Sequence, residues 1–372
     1  MIAKQTLVAA SLLALLVAST ETAFAEPGAP PERPDEAPFD DPEPVAPPQR
    51  PPPGKTGYFQ IGAGYNSTDG FVASASVGQN NLFGTGTSLV LDTKISARQQ
   101  RFVIGWEDPT LFGSDFALSA NLYREVRALP GFTRDATGSS LTLSHALGPH
   151  VRGFVGYRIE QVDVTLDHDV SARGTQASDP FRGGRLAAIR AGLEYNTLDN
   201  VIWPQRGTRV GTAIEIADRD LGSEIQMMRT DAWLSHHRPL GPLTLHVGGT
   251  LSTVSSGAPF SERLHFEGNR DIRGYAPGAL GPFDPQTGVS LGGDLKYTAR
   301  GELEIPLSRR HGISAVGWMD AGGILAERTR WSAASAGVGL AWRSPIGLVR
   351  LDYAIPLDGG KPALVFGLGG TW

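Results

Sequence analysis

Apolar and polar residues alternate along most of the chain beyond residue 56, which places successive side chains on opposite faces of an extended backbone. Phe102, Ile104 and Trp106 fall on one side of their segment, and Arg101 and Gly105 fall on the other. A period of two residues is typical of a β-strand with one apolar face. The pattern therefore predicts strands rather than helices.

No window carries a sustained apolar repeat of 3.6 residues, and no apolar stretch approaches the ~18 residues of a membrane-spanning helix. Alternation and turn residues together predict sixteen strands, an even number as in single-chain bacterial barrels. The predicted strands are 57–65, 71–79, 86–96, 101–108, 115–124, 137–146, 151–162, 185–196, 208–218, 226–237, 243–252, 295–306, 313–321, 333–343, 348–356 and 362–372.

The second face of these strands keeps its charges, as Arg300, Glu302 and Glu304 do opposite Leu303 and Ile305. A soluble sandwich also alternates, with polar residues outward and a core inward. Aromatic residues near strand ends favour the membrane alternative: Trp106, Tyr195, Tyr353 and Trp372. The sequence predicts an all-β fold, a 16-stranded antiparallel transmembrane β-barrel, with short turns on the periplasmic side and long loops outside.

The first 25 residues are predicted to be a cleaved signal peptide. Lys4 precedes an apolar run from Leu7 to Ala18, and Ala23-Phe24-Ala25 has the small-x-small pattern of a cleavage site. The alternative, a retained membrane anchor, would need a longer apolar run. Residues 26–55 hold twelve prolines and seven acids, so they are predicted to form a proline-rich disordered linker, and residues 56–372 to form the barrel.

The composition of the chain excludes several kinds of chemistry. The chain has no Cys, which excludes disulfides and thiolate chemistry, and its formal charge of -5 gives no attraction to nucleic acid. His168, His236 and His237 stand outside any HExxH pattern, and G-x-S-x-G is absent. We expect no enzymatic activity, no metal and no cofactor.

Several stretches, in order across residues 56–372, resemble the BamA/TamA outer-membrane assembly superfamily, also described as bacterial surface antigen type barrels. They are GYFQIGAGYNSTDG, NNLFGTGTSLVL, EDPTLFGSD, EYNTLDNVIWPQRGTRV, GNRDIRGY, GGDLKYTARGELEIPL, WMDAGG, SAGVGLAWRSPIGLVRLDYAIPL and the terminal GLGGTW. The resemblance implies a barrel exported to the bacterial outer membrane, with a long sixth extracellular loop folded into its lumen.

The loop motif GNRDIRGY carries Arg273, Gly274 and Tyr275. The resemblance implies that Arg273 meets carboxylates of neighbouring strands inside the lumen, best matched by Glu302 and Asp320. A guanidinium offers a planar fork of donors that suits carboxylates. The alternative is that Arg273 is a solvated charge on a long loop.

The resemblance also implies a weak seam between the first and last strands. Gly62, Gly64, Gly367, Gly369 and Gly370 lie in these strands, and glycine weakens strand order. An opened seam would expose unpaired backbone groups to an incoming strand. The alternative is that barrels use glycine wherever side chains crowd.

Phe366, Leu368 and Trp372 share one face of the last strand and resemble the family's C-terminal targeting signal. An aromatic residue at this position also serves as an interfacial anchor, and the two roles are compatible.

The expected function is to assist insertion or translocation of proteins at the outer membrane. The expected partners are outer-membrane lipids and unfolded outer-membrane or secreted client proteins. The sequence leaves no room for the family's periplasmic POTRA domains, so we expect a short member without them and delivery of clients by a periplasmic partner. The alternative is a passive, porin-like channel, because a 16-stranded barrel is wide enough for an aqueous lumen.

Overall fold

The computed structural model describes residues 57–167, 183–200, 203–285, 287–344 and 347–368. The predicted signal peptide and linker lie outside the described residues. Sixteen antiparallel strands form a closed barrel in which each strand pairs with its neighbours in sequence and β1 pairs with β16. This confirms the predicted fold class and strand count.

The strands are β1 Gly57–Asn66, β2 Gly70–Gln79, β3 Ser88–Ile95, β4 Gln99–Asp108, β5 Phe116–Leu129, β6 Phe132–Ala146, β7 Val151–Leu166, β8 Gly183–Asn196, β9 Gly207–Ala217, β10 Met227–Leu240, β11 Leu243–Val254, β12 Leu295–Ser308, β13 Ile313–Ala326, β14 Thr329–Ser344, β15 Gly347–Pro356 and β16 Ala363–Leu368. Among the described residues, five single turns of 3-10 helix lie in four of the connections. Among the residues that the structure describes, no helix is long and apolar enough to cross a membrane.

In two hairpins the predicted strands are shorter than the strands of the structure. The β5–β6 ladder continues to the pair Leu129 with Phe132, and the β13–β14 ladder continues to Ala326 with Thr329. In the β6 extension Arg134 and Asp135 put charges on both faces, and the β13 extension begins with Gly322 and Gly323, so the alternation is interrupted there although backbone pairing continues. Hydrophobic periodicity reports which faces are buried, not where hydrogen bonding stops.

The two faces of each strand differ as the alternation predicts. On β13, Met319 is 59% exposed, whereas its neighbours Trp318 and Asp320 are 4% and 1% exposed. The same alternation of exposed apolar and buried side chains runs around the barrel, and such an outward apolar band is the surface that a transmembrane barrel presents to lipid.

The inward face of one wall is held together by ion pairs. Arg158 Nη2 lies 2.7 Å from Glu215 Oε1, and Arg190 Nη1 lies 3.4 Å from Asp231 Oδ2. Buried charges are tolerated when they are paired, so this arrangement lets strands β7 to β10 keep charged side chains away from lipid.

Residues 255–294 connect β11 to β12, and we call them the inner segment because they contact inward-facing residues of the strands. Leu264 packs in one apolar cluster with Val162 of β7 and Leu186 of β8. Phe260 meets Phe132 of β6 edge to face, with ring centroids 4.8 Å apart. The inner segment therefore supplies apolar surface to an interior otherwise rich in charge.

The outward position of Met319 yields a test of the membrane face. We expect Met319→Arg to destabilise the protein in bilayers by about 2–4 kcal/mol, because a charge would replace an apolar side chain in lipid. Reversible unfolding in phospholipid vesicles, followed by tryptophan fluorescence, measures the change. Met319→Leu is the control and should be close to neutral; unchanged stability in Met319→Arg would contradict the assignment of this face to lipid.

Candidate functional site: an arginine cluster inside the barrel

Arg273 of the inner segment forms a fork of hydrogen bonds with Asp320 of β13. Its Nε donates to Oδ2 at 2.7 Å, its Nη2 donates to Oδ1 at 2.7 Å, and its backbone N–H donates to Oδ2 at 3.1 Å. Its Nη1 donates to Glu302 Oε2 of β12 at 3.1 Å. The Arg273 side chain is 5% exposed, so these charge-assisted bonds are shielded from water. The structure thus brings together the three residues that the resemblance grouped.

Three further inward-facing residues complete the cluster. The Arg273 guanidinium lies 3.8 Å from the centroid of the Trp318 ring, and its Nη1 is 3.5 Å from Asp352 Oδ2. Arg350 of β15 binds both Glu302 and Asp352, the latter at 2.7 Å. The cluster therefore joins the inner segment to three strands, β12, β13 and β15.

Gly274 and Tyr275 fit the site through backbone shape and packing. Gly274 has φ +91°, and a Cβ there would lie 2.9 Å from Ala354 Cβ, so any larger residue would be both strained and crowded. The Tyr275 hydroxyl donates to the Ala334 carbonyl of β14 at 3.1 Å. This extends the contacts of the motif to a fourth strand.

A second group of charges lies just before Arg273. Glu267 accepts from Lys296 Nζ of β12 at 3.2 Å and pairs with Arg127 Nη2 of β5 at 2.9 Å. Burial opposes ionisation of Glu267, but Lys296, Arg127 and Arg270 outweigh it and hold the pKa of the Glu267 carboxyl below its usual range. Arg270 also reaches Asp69, in the turn between β1 and β2, at 2.7 Å.

His265 is a buried neutral ring in the inner segment. Its Nε2 lies 2.8 Å from the Phe260 carbonyl oxygen, which can only accept, so Nε2 carries the proton and Nδ1 accepts from the Ser290 hydroxyl at 2.9 Å. Burial, with smaller contributions from Arg127 and Lys296, lowers the pKa of His265 to about 4 despite the opposing effect of the Phe260 carbonyl and Glu267.

The β8–β9 connection contributes side chains to the interior from the end opposite the β11–β12 connection. Trp203 Nε1 donates to Glu304 Oε2 of β12 at 3.1 Å, and Gln205 Nε2 donates to the same oxygen at 3.2 Å. The Arg343 guanidinium of β14 lies 4.6 Å from the centroid of the Trp203 ring. Trp203 also packs against the apolar cluster that contains Trp318, so side chains from both ends approach the Arg273 cluster.

Of the predicted seam residues, Gly367 lies where β1 meets β16: the described pairs of these two strands are Tyr65 with Leu368 and Asn66 with Gly367. Gly62 and Gly64 lie on β1 opposite β2 residues. The ring of Phe366 is 6.1 Å from that of Tyr65, centroid to centroid. Gly369, Gly370 and Trp372 lie outside the described residues.

The histidines considered for catalysis make ordinary polar contacts. Thr208 Oγ1 lies 2.8 Å from His236 Nδ1, and His237 Nδ1 lies 2.7 Å from His246 Nδ1. His168 lies outside the described residues. In the described part of the chain, no group of three or more His, Cys, Asp or Glu side chains is arranged to hold a metal ion.

Sequence reasoning missed Asp352, Arg350 and Trp318 as members of the Arg273 cluster. Alternation did place Arg350 and Asp352 on the polar face of their strand. It could not show which of the inward charges would face Arg273, because β15 meets the inner segment only through the curvature of the closed sheet.

We expect Arg273→Gln to release the inner segment, because buried Asp320 would lose its forked partner and Glu302 and Asp352 would keep Arg350 but lose Arg273. Breaking a buried pair in this way costs about 3–5 kcal/mol. The rate of chymotrypsin cleavage within residues 255–294, with the sites located by mass spectrometry, measures the opening. Arg273→Lys should have a smaller effect since it keeps the charge but loses the fork. Equal cleavage of Arg273→Gln and the parent protein would contradict the prediction.

His265 should make docking of the inner segment weaken in acid. Its pKa is lower when docked than the ~6.5 of a free imidazole, so only the undocked ring gains a proton between about pH 6.5 and pH 4. Docking should be roughly 2 kcal/mol weaker at pH 5 than at pH 7 from this group. Hydrogen exchange of residues 255–294, corrected for intrinsic rates, measures it. His265→Gln should flatten the dependence; an unaltered slope would contradict this origin.

A family model described as the Omp85 superfamily domain matches residues 81–372, most of the chain. Two relatives named outer membrane protein assembly factor BamA are similar to it. The one from Nitratidesulfovibrio vulgaris is 24% identical over 316 residues, covering 82% of this chain and 40% of the relative. The one from Neisseria meningitidis is 25% identical over 358 residues, covering 81% and 45%. The chain thus spans less than half the length of these relatives.

Solved structures share the fold. The crystal structure of BamA from Haemophilus ducreyi lacking POTRA domains 1-3 has a TM-score of 0.73 at 21% identity, covering 85% of this chain and 70% of that one. CdiB from Escherichia coli has a TM-score of 0.58 at 14% identity, covering 85% and 63%. The family match, the relatives and the closed sixteen-stranded fold agree with the resemblance found in the sequence: the chain belongs to the Omp85 superfamily and is an outer-membrane β-barrel with a BamA-like fold.

Proposed function

We propose that this protein assists the insertion or translocation of other proteins at the bacterial outer membrane, through a lateral seam between β1 and β16. The observation that carries the proposal is the Arg273 cluster, which fixes the inner segment to the walls of an Omp85 barrel. The proposed role is mechanical rather than enzymatic: the barrel supplies backbone groups with which a client strand can pair and a path for the client into or across the membrane.

The fixed inner segment favours this role over the passive channel. Ile272 and Phe266 of the segment are buried, and Tyr275 is bound to β14. A channel lumen needs mobile or absent plugs along a continuous aqueous path, whereas here an anchored segment and Trp203 approach the same interior cluster from different connections. An interior built in this way suits a rigid support beside a movable seam.

The proposed seam would act by strand addition. Separation of β1 from β16 would leave backbone N–H and C=O groups of β1 unpaired in a medium without water, and a client strand could satisfy them. The glycines at 62, 64 and 367 support this idea, because they weaken strand order and reduce cross-strand packing. Each client hairpin added in this way would keep its polar backbone paired throughout.

The proposed clients are unfolded outer-membrane or secreted proteins, and the proposed surroundings are outer-membrane lipids. The relatives carry the name assembly factor, which supports clients of the barrel type for this chain. A periplasmic partner that delivers clients, a cleaved signal at residues 1–25 and a C-terminal targeting signal at Phe366, Leu368 and Trp372 belong to the same proposal.

Assisted folding tests the function. Purified protein in phospholipid vesicles is given an unfolded reporter barrel, and insertion is followed by the shift in gel mobility between folded and unfolded reporter. We expect insertion several-fold faster than in empty vesicles, and we expect Arg273→Ala to remove most of the gain because the inner segment loses its anchor. Arg330→Ala is the matched control, since Arg330 is exposed and its one described hydrogen bond is to the hydroxyl of half-buried Tyr297.

Ion conductance of the same vesicles separates the two candidate functions. Insertion no faster than in empty vesicles, together with a large steady conductance, would overturn the proposed function in favour of the channel. Accelerated insertion with low conductance would support it.

A further inference from the structure

Arg270 joins the inner segment to the β1–β2 turn, a part of the barrel that the Arg273 cluster of β12, β13 and β15 does not include. Its Nη2 donates to Asp69 Oδ2 at 2.7 Å, and Asp69 lies in the turn between β1 and β2. The Asp69 side chain is 6% exposed. The Arg270 side chain is 32% exposed, so the bridge joins a buried carboxylate to a partly buried cation, and its loss would leave the buried Asp69 carboxylate without this cation.

The same oxygen of Asp69 also binds the last residue of β1. Asn66 Nδ2 donates to Asp69 Oδ2 at 3.2 Å, while Asn66 Oδ1 accepts from the backbone N–H groups of Thr68 and Asp69 at 2.9 and 2.7 Å. Asn66 is one of the two described β1 positions that pair with β16, opposite Gly367. One carboxylate oxygen therefore connects the seam to Arg270.

The described seam continues into this turn. The Ser67 backbone N–H donates to the Phe366 carbonyl at 3.1 Å, and the Phe366 N–H donates to Ser67 Oγ at 3.0 Å. Residues 65–67 of the first hairpin thus hold 366–368 of the last strand. Any displacement of the Asp69 turn would move these residues directly.

The other end of the connection is fixed to the barrel walls. Arg270 Nη1 lies 3.5 Å from Glu267, which is held by Lys296 of β12 and Arg127 of β5. Three residues further on, Arg273 is bound to Asp320. Arg270 therefore stands on a support that does not depend on β1 or β16.

We propose that the Asp69–Arg270 bridge positions the seam: it holds the end of β1 against β16 while it is formed, and the two strands separate when it breaks. Arg270 is then a positioning residue that couples the inner segment to the seam. The inference rests on the proposed function, in which separation of β1 from β16 admits a client strand.

Distances across the seam test the bridge without any client. Ile61 of β1 and Leu351 of β15 are exposed on the outer face of the strands that flank β16, and the chain has no native Cys, so Ile61→Cys and Leu351→Cys accept nitroxide labels specifically. Pulsed electron paramagnetic resonance in vesicles should give one dominant distance in the labelled parent. In Arg270→Gln, the fraction of molecules with a longer distance should be several-fold larger than in the labelled parent. Arg270→Lys should return most molecules to the short distance.

Asp69→Asn removes the same ion pair from its other side. It should produce the same long component, and combining it with Arg270→Gln should add nothing, since both remove one interaction. Arg124→Gln is the matched control: Arg124 pairs with Asp135 at the same 2.7 Å, but between β5 and β6. It should leave the distance unchanged, and retained gel mobility of the unheated proteins confirms folding in each case.

Unchanged distances in both Arg270→Gln and Asp69→Asn would overturn the bridge, as would equal broadening in Arg124→Gln, which would indicate general loosening. Failure of the proposed function has a different signature. Seam separation without accelerated insertion of a reporter barrel would overturn the function and leave the bridge in place. Accelerated insertion with unchanged distances would overturn the bridge and leave the function in place.

Discussion

Backbone polar groups in hydrocarbon must find partners within the protein, because no water is present to satisfy them. A sheet can meet this requirement only by closing on itself, and sixteen strands do so here through the contact of β1 with β16. Every other neighbour in the barrel is joined by a connection in the chain. The β1–β16 contact has no such connection, so it depends on the side chains and turns around it more than any other pair does.

Closure also determines what the interior can contain. Because the apolar faces point to lipid, the charged faces are turned toward one another, and charges away from bulk water require partners. Arg158 and Glu215 pair with each other within the wall. Asp320 and Glu302, by contrast, pair with Arg273 of the inner segment. The inner segment is thus part of the electrostatic balance of the barrel and not merely an obstruction within it.

The contacts of the inner segment divide the barrel into a supported part and a part with fewer attachments. Arg273, Tyr275 and Lys296 attach the segment to strands β12 to β15. On the side of the seam, the connection to β1 runs through Asp69 and Arg270. The proposed function would need such asymmetry, since the rest of the sheet would have to stay closed while the β1–β16 edge moves.

Much of the fold could be predicted because alternation is a property of a single strand. The faces of Phe102, Ile104 and Ile305 follow from their neighbours in sequence, and alternation together with turn residues predicted all sixteen strands. The outer ends of β6 and β13 were not, because charges or glycines on both faces interrupt the alternation there. The grouping of Arg273 with Glu302 and Asp320 came from a family resemblance, since spacing alone does not distinguish one inward carboxylate from another.

The sequence by itself determined the strands, their two faces and the number that must close. Only the tertiary structure decided which charges meet: Arg273 with Asp320 across 47 positions, and Arg270 with Asp69 across 201. The physical reason is the distance along the chain over which each property is decided. The preference of a side chain for lipid or water depends on its own strand, whereas an ion pair depends on two backbones brought within hydrogen-bond distance by the circumference of the closed barrel and the path of the segment inside it.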